Sequence, residues 1–146
     1  MKAHFLGASA VIGVSALLLS GCTSATGIPA LDREAQEADR WPGDPTQLDD
    51  TGMDINTSRF LISNEGTDYY VLTSSDQKMA CLFVFDQNAA DEFGGGGCGG
   101  VTGAPFLVGV ELPGHKMALV RNDARISDYE AEGWKQIHEN IFVGDS

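Results

Sequence analysis

The side chains able to do chemistry in this 146-residue chain are few: three cysteines, three histidines and several clusters of carboxylates. His115 and His138 each have an imidazole suited to general-base work, yet neither a Gly-x-Ser-x-Gly elbow nor a His-Glu-x-x-His spacing accompanies them. They read as exposed histidines near turns, and no catalytic residue is expected. Asp49, Asp50, Asp54 and Asn56, or Asp91 with Glu92, offer oxygen ligands for calcium, but the EF-hand spacing and its closing glutamate are absent. No metal or cofactor is expected. The run Gly94-Gly95-Gly96-Gly97-Cys98-Gly99-Gly100 resembles a phosphate loop only in its glycines, since the Lys and Ser/Thr that complete one are missing. It reads as a flexible loop that folds Cys98 back onto the strand carrying Cys81.

Cys22 has a different context. Lys2 is followed by an apolar run over residues 5–19, too short to favour a membrane-spanning helix, and then by Leu19-Ser20-Gly21-Cys22. This order resembles the lipobox of bacterial lipoproteins, in which the cysteine receives a diacylglyceryl group and becomes the mature N-terminus. Residues 1–21 are therefore expected to be a signal peptide and Cys22 a lipidation site. Removing 21 residues from 146 leaves 125, and loss of Lys2 takes the net charge from −12 to −13. A surface this acidic lacks the basic patch that releases counterions from nucleic acid, so nucleic-acid binding is excluded. The implied location is the extracytoplasmic face of the cell membrane, with the membrane itself as the first partner.

Export also decides the other two cysteines. With Cys22 consumed by lipid, Cys81 and Cys98 remain as an even pair in an oxidising compartment and are expected to form a disulfide. Closing that loop stabilises a small domain by about 3 kcal/mol in chain-entropy terms.

The elements that position these residues can be placed by periodicity. Residues 22–57 read as a lipidated tether followed by an acidic helix and linker. The segment 29–41 has helix-forming composition but almost no apolar stripe, so any helix is short and solvated or docked only through Leu31 and Trp41. Trp41-Pro42-Gly43-Asp44-Pro45 ends it, and residues 47–56 form an irregular connector. The compact domain, residues 58–146, reads as strands over 59–63 and 68–73 joined by Asn64-Glu65-Gly66-Thr67, then a central strand over 78–85 with both faces apolar. Strands over 106–112 and 116–121 flank Pro113-Gly114-His115. Ser127-Asp128-Tyr129-Glu130 matches a capping box, with Gly133 closing a one- or two-turn helix in a left-handed cap. Trp134, Ile137 and residues 141–143 then serve as apolar anchors. The expected fold is α+β: a small antiparallel sheet, one or two short helices and one disulfide.

The order of these features resembles small, uncharacterised lipoprotein and membrane-anchored domains of actinobacteria. The residues that carry the likeness are Asp32-Arg33, Asp39-Arg40-Trp41-Pro42, Ser58-Arg59-Phe60, Tyr69-Tyr70-Val71, Cys81-Leu82-Phe83-Val84, Gly97-Cys98-Gly99-Gly100, Gly133-Trp134 and Asn140-Ile141-Phe142-Val143. The resemblance implies a disulfide-closed extracytoplasmic domain and transfers no activity. Together these readings point to a non-enzymatic binding or envelope-associated lipoprotein, with a small-molecule or cation-binding lipoprotein as the alternative. A pocket with convergent polar groups favours a small ligand, and a broad aromatic patch favours a protein partner.

Overall fold

The computed structural model describes residues 25–89 and 93–145. The signal peptide, the lipidation site Cys22 and the acidic pair Asp91 and Glu92 lie outside the described residues. Eight strands form two antiparallel sheets of four. The first has the order β1 (Arg59–Asn64), β2 (Thr67–Thr73), β3 (Met79–Asp86), β4 (Phe93–Gly100); the second runs β5 (Phe106–Leu112), β6 (His115–Val120), β8 (Ile141–Gly144), β7 (Lys135–His138).

The fold is mostly β rather than α+β. The change of period near the C-terminus yields only α1 (Ile126–Glu130), after which the chain returns to an extended β7–β8 hairpin. Gly133 does take a left-handed conformation, at φ 86°. The expected capping box does not form: Arg125 is the N-cap, and no side chain caps the helix. Upstream, the acidic stretch lacks an apolar stripe long enough to hold an α-helix and gives single 3-10 turns at Pro29–Leu31, Glu37–Asp39, Pro45–Leu48 and Ile55–Thr57.

The two sheets face each other across one core. Tyr69, Val71, Leu82 and Val84 of the first sheet pack against Val108, Val110, Met117, Leu119 and Ile141 of the second. Both faces of β3 are buried because the outer face of the first sheet is also covered. Its cover comes from Trp41, one of the two residues through which the 29–41 stretch can dock, and from Leu48 of the stretch expected to be an irregular connector; both are buried against Tyr70, Phe83 and Phe85. Trp41 stands edge-on to Phe83 at 5.1 Å and to Phe85 at 5.0 Å. Such edge-to-face pairs add roughly 0.5–1.5 kcal/mol each beyond the area they bury. On the far side, α1 and its flanks bring Tyr129 and Trp134 over Ala118, Val120 and Phe142.

The glycine run is strand β4 and not a flexible loop. It pairs along β3 from Met79↔Gly100 to Phe85↔Phe93, with Cys81 directly opposite Cys98. The absence of side chains is a packing requirement here. A β-carbon on Gly99 would stand 2.1 Å from the Leu107 carbonyl oxygen, and one on Gly97 would stand 2.8 Å from Val110 Cγ2. The sheets thus approach most closely where β5 passes over β4, and only glycine fits.

A polar tie joins the start of the described chain to its end. The fully buried Asn140 side chain donates to the Gly27 carbonyl at 3.1 Å and to the Val120 carbonyl at 2.9 Å, and the Asn122 amide also donates to Gly27. Ile28, next in sequence, has no exposed surface and joins the inter-sheet core.

Candidate functional site

Two cavities with polar walls lie near opposite ends of the strands. The first is built around Asp39, which the Glu37–Asp39 turn places beneath β1 with only 2% of its surface exposed. Its carboxylate accepts two hydrogen bonds from Arg33, at 2.5 and 2.7 Å, one from the Gln36 amide at 2.7 Å and one from the Phe60 amide at 2.9 Å. The Arg33 bonds hold the carboxyl down to about 2, against burial, and the two amides add to the effect. Four donors occupy the roughly four lone-pair sites of a carboxylate. Asp39 therefore has no free lone pair with which to accept a substrate proton, and its role is to pin the N-terminal segment to β1. Beside it is a recess of about 470 Å³ reached by Trp41, Ile55 and Ser58. The Ser58 hydroxyl is buried there without a hydrogen-bond partner among the described residues.

The second cavity, about 450 Å³, opens where the β1–β2 and β5–β6 turns meet the open end of the β7–β8 hairpin. Glu65 and Gly66 both take positive φ, 51° and 82°, the backbone signature of a two-residue turn that matches the strand twist. That turn presents Glu65 to the cavity. Gly114, at φ 78°, turns β5 into β6 and sets His115 and Lys116 on the opposite wall; Lys135 of β7 and Asp145 after β8 complete it. Tyr69 reaches the cavity from β2. It is 3% exposed, and its hydroxyl has no hydrogen-bond partner among the described residues. Burial raises the phenol above its ordinary value of 10.0, and the Glu65 carboxylate raises it further. The buried side-chain polar atoms left without a partner among the described residues are Ser58 Oγ and Asn140 Oδ1, so the Tyr69 hydroxyl is a solvent-touching polar contact at the cavity wall.

The residues singled out by sequence distribute unevenly between these places. Cys81 and Cys98 form the expected disulfide, with Cys81 fully buried and Cys98 exposed on the edge strand β4. His115 lines the second cavity. His138 is not an exposed turn residue: it lies in β7, half-buried, where its Nδ1 accepts from the Asn140 amide at 3.2 Å. Burial lowers its pKa, with Glu139 partly offsetting the effect. Asp49 and Asp54 border a separate cavity, but Asp54 is engaged as the cap of the Ile55–Thr57 turn, accepting from the Asn56 amide. Among the described residues, no three His, Cys, Asp or Glu side chains gather as a metal site. Sequence reasoning offered Tyr69 as one of several aromatic residues for a recognition surface but missed Lys116 and Lys135, which border the same cavity. Tyr69 alternates with core residues and so reads as core, and Lys116 and Lys135 are too far apart to form a motif.

Comparison with protein-family models, with curated proteins and with solved structures finds no match to this chain.

Proposed function

We propose that the protein is a lipid-anchored, extracytoplasmic binding module of non-enzymatic type, one of the actinobacterial lipoproteins its sequence resembles. The observation that carries the binding role is the unpartnered Tyr69 hydroxyl in a cavity walled by charged residues of both signs. Polar groups converging on a concavity suit a small ligand better than a protein face. Of the aromatic residues that could have made a protein-binding patch, Trp41, Tyr69 and Tyr70 are buried, and Trp134 is half-buried against Phe106. The large exposed apolar side chains among the described residues, Met79, Phe106 and Ile126, sit on three different elements. A non-catalytic role is supported by the engagement of His138, whose Nδ1 accepts from a backbone amide, and of Asp39, which is saturated by four donors.

The anchor and the binding role have separate tests. Cys22→Ser should release the protein from membranes or leave an unprocessed precursor; a variant that fractionates and migrates like wild type removes the anchor from the reading. Titration of the full-length protein with small polar solutes tests the cavity, and unchanged affinity in Tyr69→Phe would remove that cavity as the binding site.

A further inference from the structure

The edges of the two sheets are β1 and β4 in the first and β5 and β7 in the second, and they are not alike. An edge strand exposes backbone groups that another strand can pair with, and folded proteins blunt such edges with charges, bulges, short length or a cover. On β1 the Phe60 amide is already taken by the Asp39 carboxylate, and a bulge interrupts the strand between Phe60 and Ile62. Strand β5 is bulged between Phe106 and Val108 and carries the exposed Glu111. Strand β7 has only 4 residues, begins with Lys135 and is bulged before His138. Strand β4 has no such protection: beyond its bulge at Gly94, residues 95–100 contain no charge, no proline and no further irregularity.

The free row of backbone groups on β4 follows from the ladder. The Val101 amide donates to the Lys78 carbonyl at 2.9 Å, so the residues of β4 that bond β3 are those two and four positions back, Gly99 and Gly97. On the other side of β3 the Ser74 amide donates to the Met79 carbonyl, which commits the intervening residues of β3 to β2. Cys81 and Cys98, with Cα atoms 4.0 Å apart, match the closer, non-bonded kind of antiparallel pair. The N–H and C=O groups of Gly96, Cys98 and Gly100 therefore point away from β3. All three residues are exposed, and none of their amides has a backbone partner elsewhere among the described residues.

We propose that β4 is a docking edge for an extended segment of a partner protein, in which Lys or Arg alternates with β-branched apolar residues and which adds one strand to the first sheet. The basic residues fall on the outer face, the side of the Cys81–Cys98 bridge. That face is covered through Trp41, Leu48 and Met53, and the stretch between them carries Asp44, Asp49 and Asp50, all exposed, and no lysine or arginine. The apolar residues fall on the inner side, where Gly97 and Gly99 stand against Leu107, Val108 and Val110 of β5. The bridge already holds the glycine strand extended, so a partner need not order it. A second copy of this chain is a poorer occupant: it brings its own net charge of −12, and its glycines supply no cross-strand side-chain pairs. This edge is separate from the Tyr69 cavity and does not depend on it.

The test is amide hydrogen exchange, read by NMR on the full-length protein in detergent, with the peptide acetyl-Lys-Val-Lys-Val-Lys-amide and its acidic counterpart acetyl-Glu-Val-Glu-Val-Glu-amide. In the protein alone Gly97 and Gly99 should exchange slowly and Gly96, Cys98 and Gly100 fast. The basic peptide should slow the second set by at least about tenfold and bind at least about tenfold more tightly than the acidic one. Gly100→Pro removes one outward N–H and leaves the bonds to β3 in place, so it should weaken binding while Gly97 and Gly99 stay protected. Without peptide, slow exchange at Gly96, Cys98 and Gly100 that grows with protein concentration, together with a dimer in sedimentation, overturns the assignment in favour of a second copy. Equal binding of the two peptides at this edge overturns the basic partner. No slowing by either peptide overturns the docking edge itself.

Discussion

Arg33 holds Asp39 through two parallel hydrogen bonds, and Asp39 passes that constraint to β1 by accepting the Phe60 amide. Removing the carboxylate orphans two backbone amides as well as the guanidinium. Asp39→Ala should cost about 2–4 kcal/mol in urea unfolding, below the full value for a buried pair because Arg33 is 36% exposed. The same contact sets an acid dependence. Because the folded carboxyl sits near 2 and its ordinary value is 3.8, the contribution is complete above the ordinary value and lost as pH falls toward 2. Unfolding measured from pH 5 to pH 2 should show that loss in wild type and a flatter profile in Asp39→Ala.

Neighbouring glycines of β4 should respond very differently to the same substitution. Gly99→Ala forces a methyl group to within 2.1 Å of the Leu107 carbonyl oxygen, whereas Gly100→Ala meets nothing closer than the Lys78 carbonyl oxygen at 3.9 Å. Gly99→Ala should cost about 2 kcal/mol or more, and Gly100→Ala should stay within about 0.5 kcal/mol of wild type. Thermal unfolding of the two variants side by side checks the contrast.

The disulfide joins directly opposed residues of β3 and β4. The oxidised protein should be two hydrogens lighter than the reduced form, with neither Cys81 nor Cys98 open to alkylation. Cys98→Ala should lower stability by about 2–5 kcal/mol, the usual range for losing a native bridge from a small domain. Two freely alkylated thiols under native, non-reducing conditions would contradict the pairing.

His138 predicts a second pH effect of its own. Burial lowers its pKa from the ordinary 6.5, and protonation also removes the Nδ1 lone pair that accepts from Asn140. Stability should be complete above the ordinary value and decline as pH falls from it toward the lower folded value, because the unfolded chain takes up the proton first. A proton NMR titration should find His138 titrating below 6.5; a midpoint above that would refute the argument.

What could be read from sequence follows from where side chains carry the signal. The β1–β2 and β5–β6 hairpins and the two-faced burial of β3 are legible because aromatic and β-branched runs bracket recognisable turns, Glu65-Gly66 and Pro113-Gly114. Strand β4 is not, because its glycines have no side-chain pattern and their strand character comes from pairing with β3 and the close approach of β5. Trp41 stands out as a docking residue because it is a lone large aromatic in a polar stretch, but the packing of Leu48 is hidden for a related reason: an isolated apolar residue in an acidic connector shows no period, and the surface it covers is supplied by distant strands. The Tyr69 cavity brings together hairpins far apart in sequence, and only the topology assembles them.

The tie between Asn140 and Gly27 fixes more than stability. Gly27 is bound at the Val120 end of β6, while Lys116, near the other end, faces Gly144 in the ladder with β8. Four steps of extended strand separate Lys116 from Val120, about 13 Å. If Cys22 is embedded in a leaflet, the four residues between it and Gly27 span at most about 18 Å across five steps, so Gly27 stays within about that distance of the leaflet. The Val120 end is then turned toward the headgroups and the Tyr69 cavity toward the open solvent. A solute diffusing outside the cell would meet the mouth of the cavity directly, while a lipid headgroup would have to reach past the whole length of the sheet.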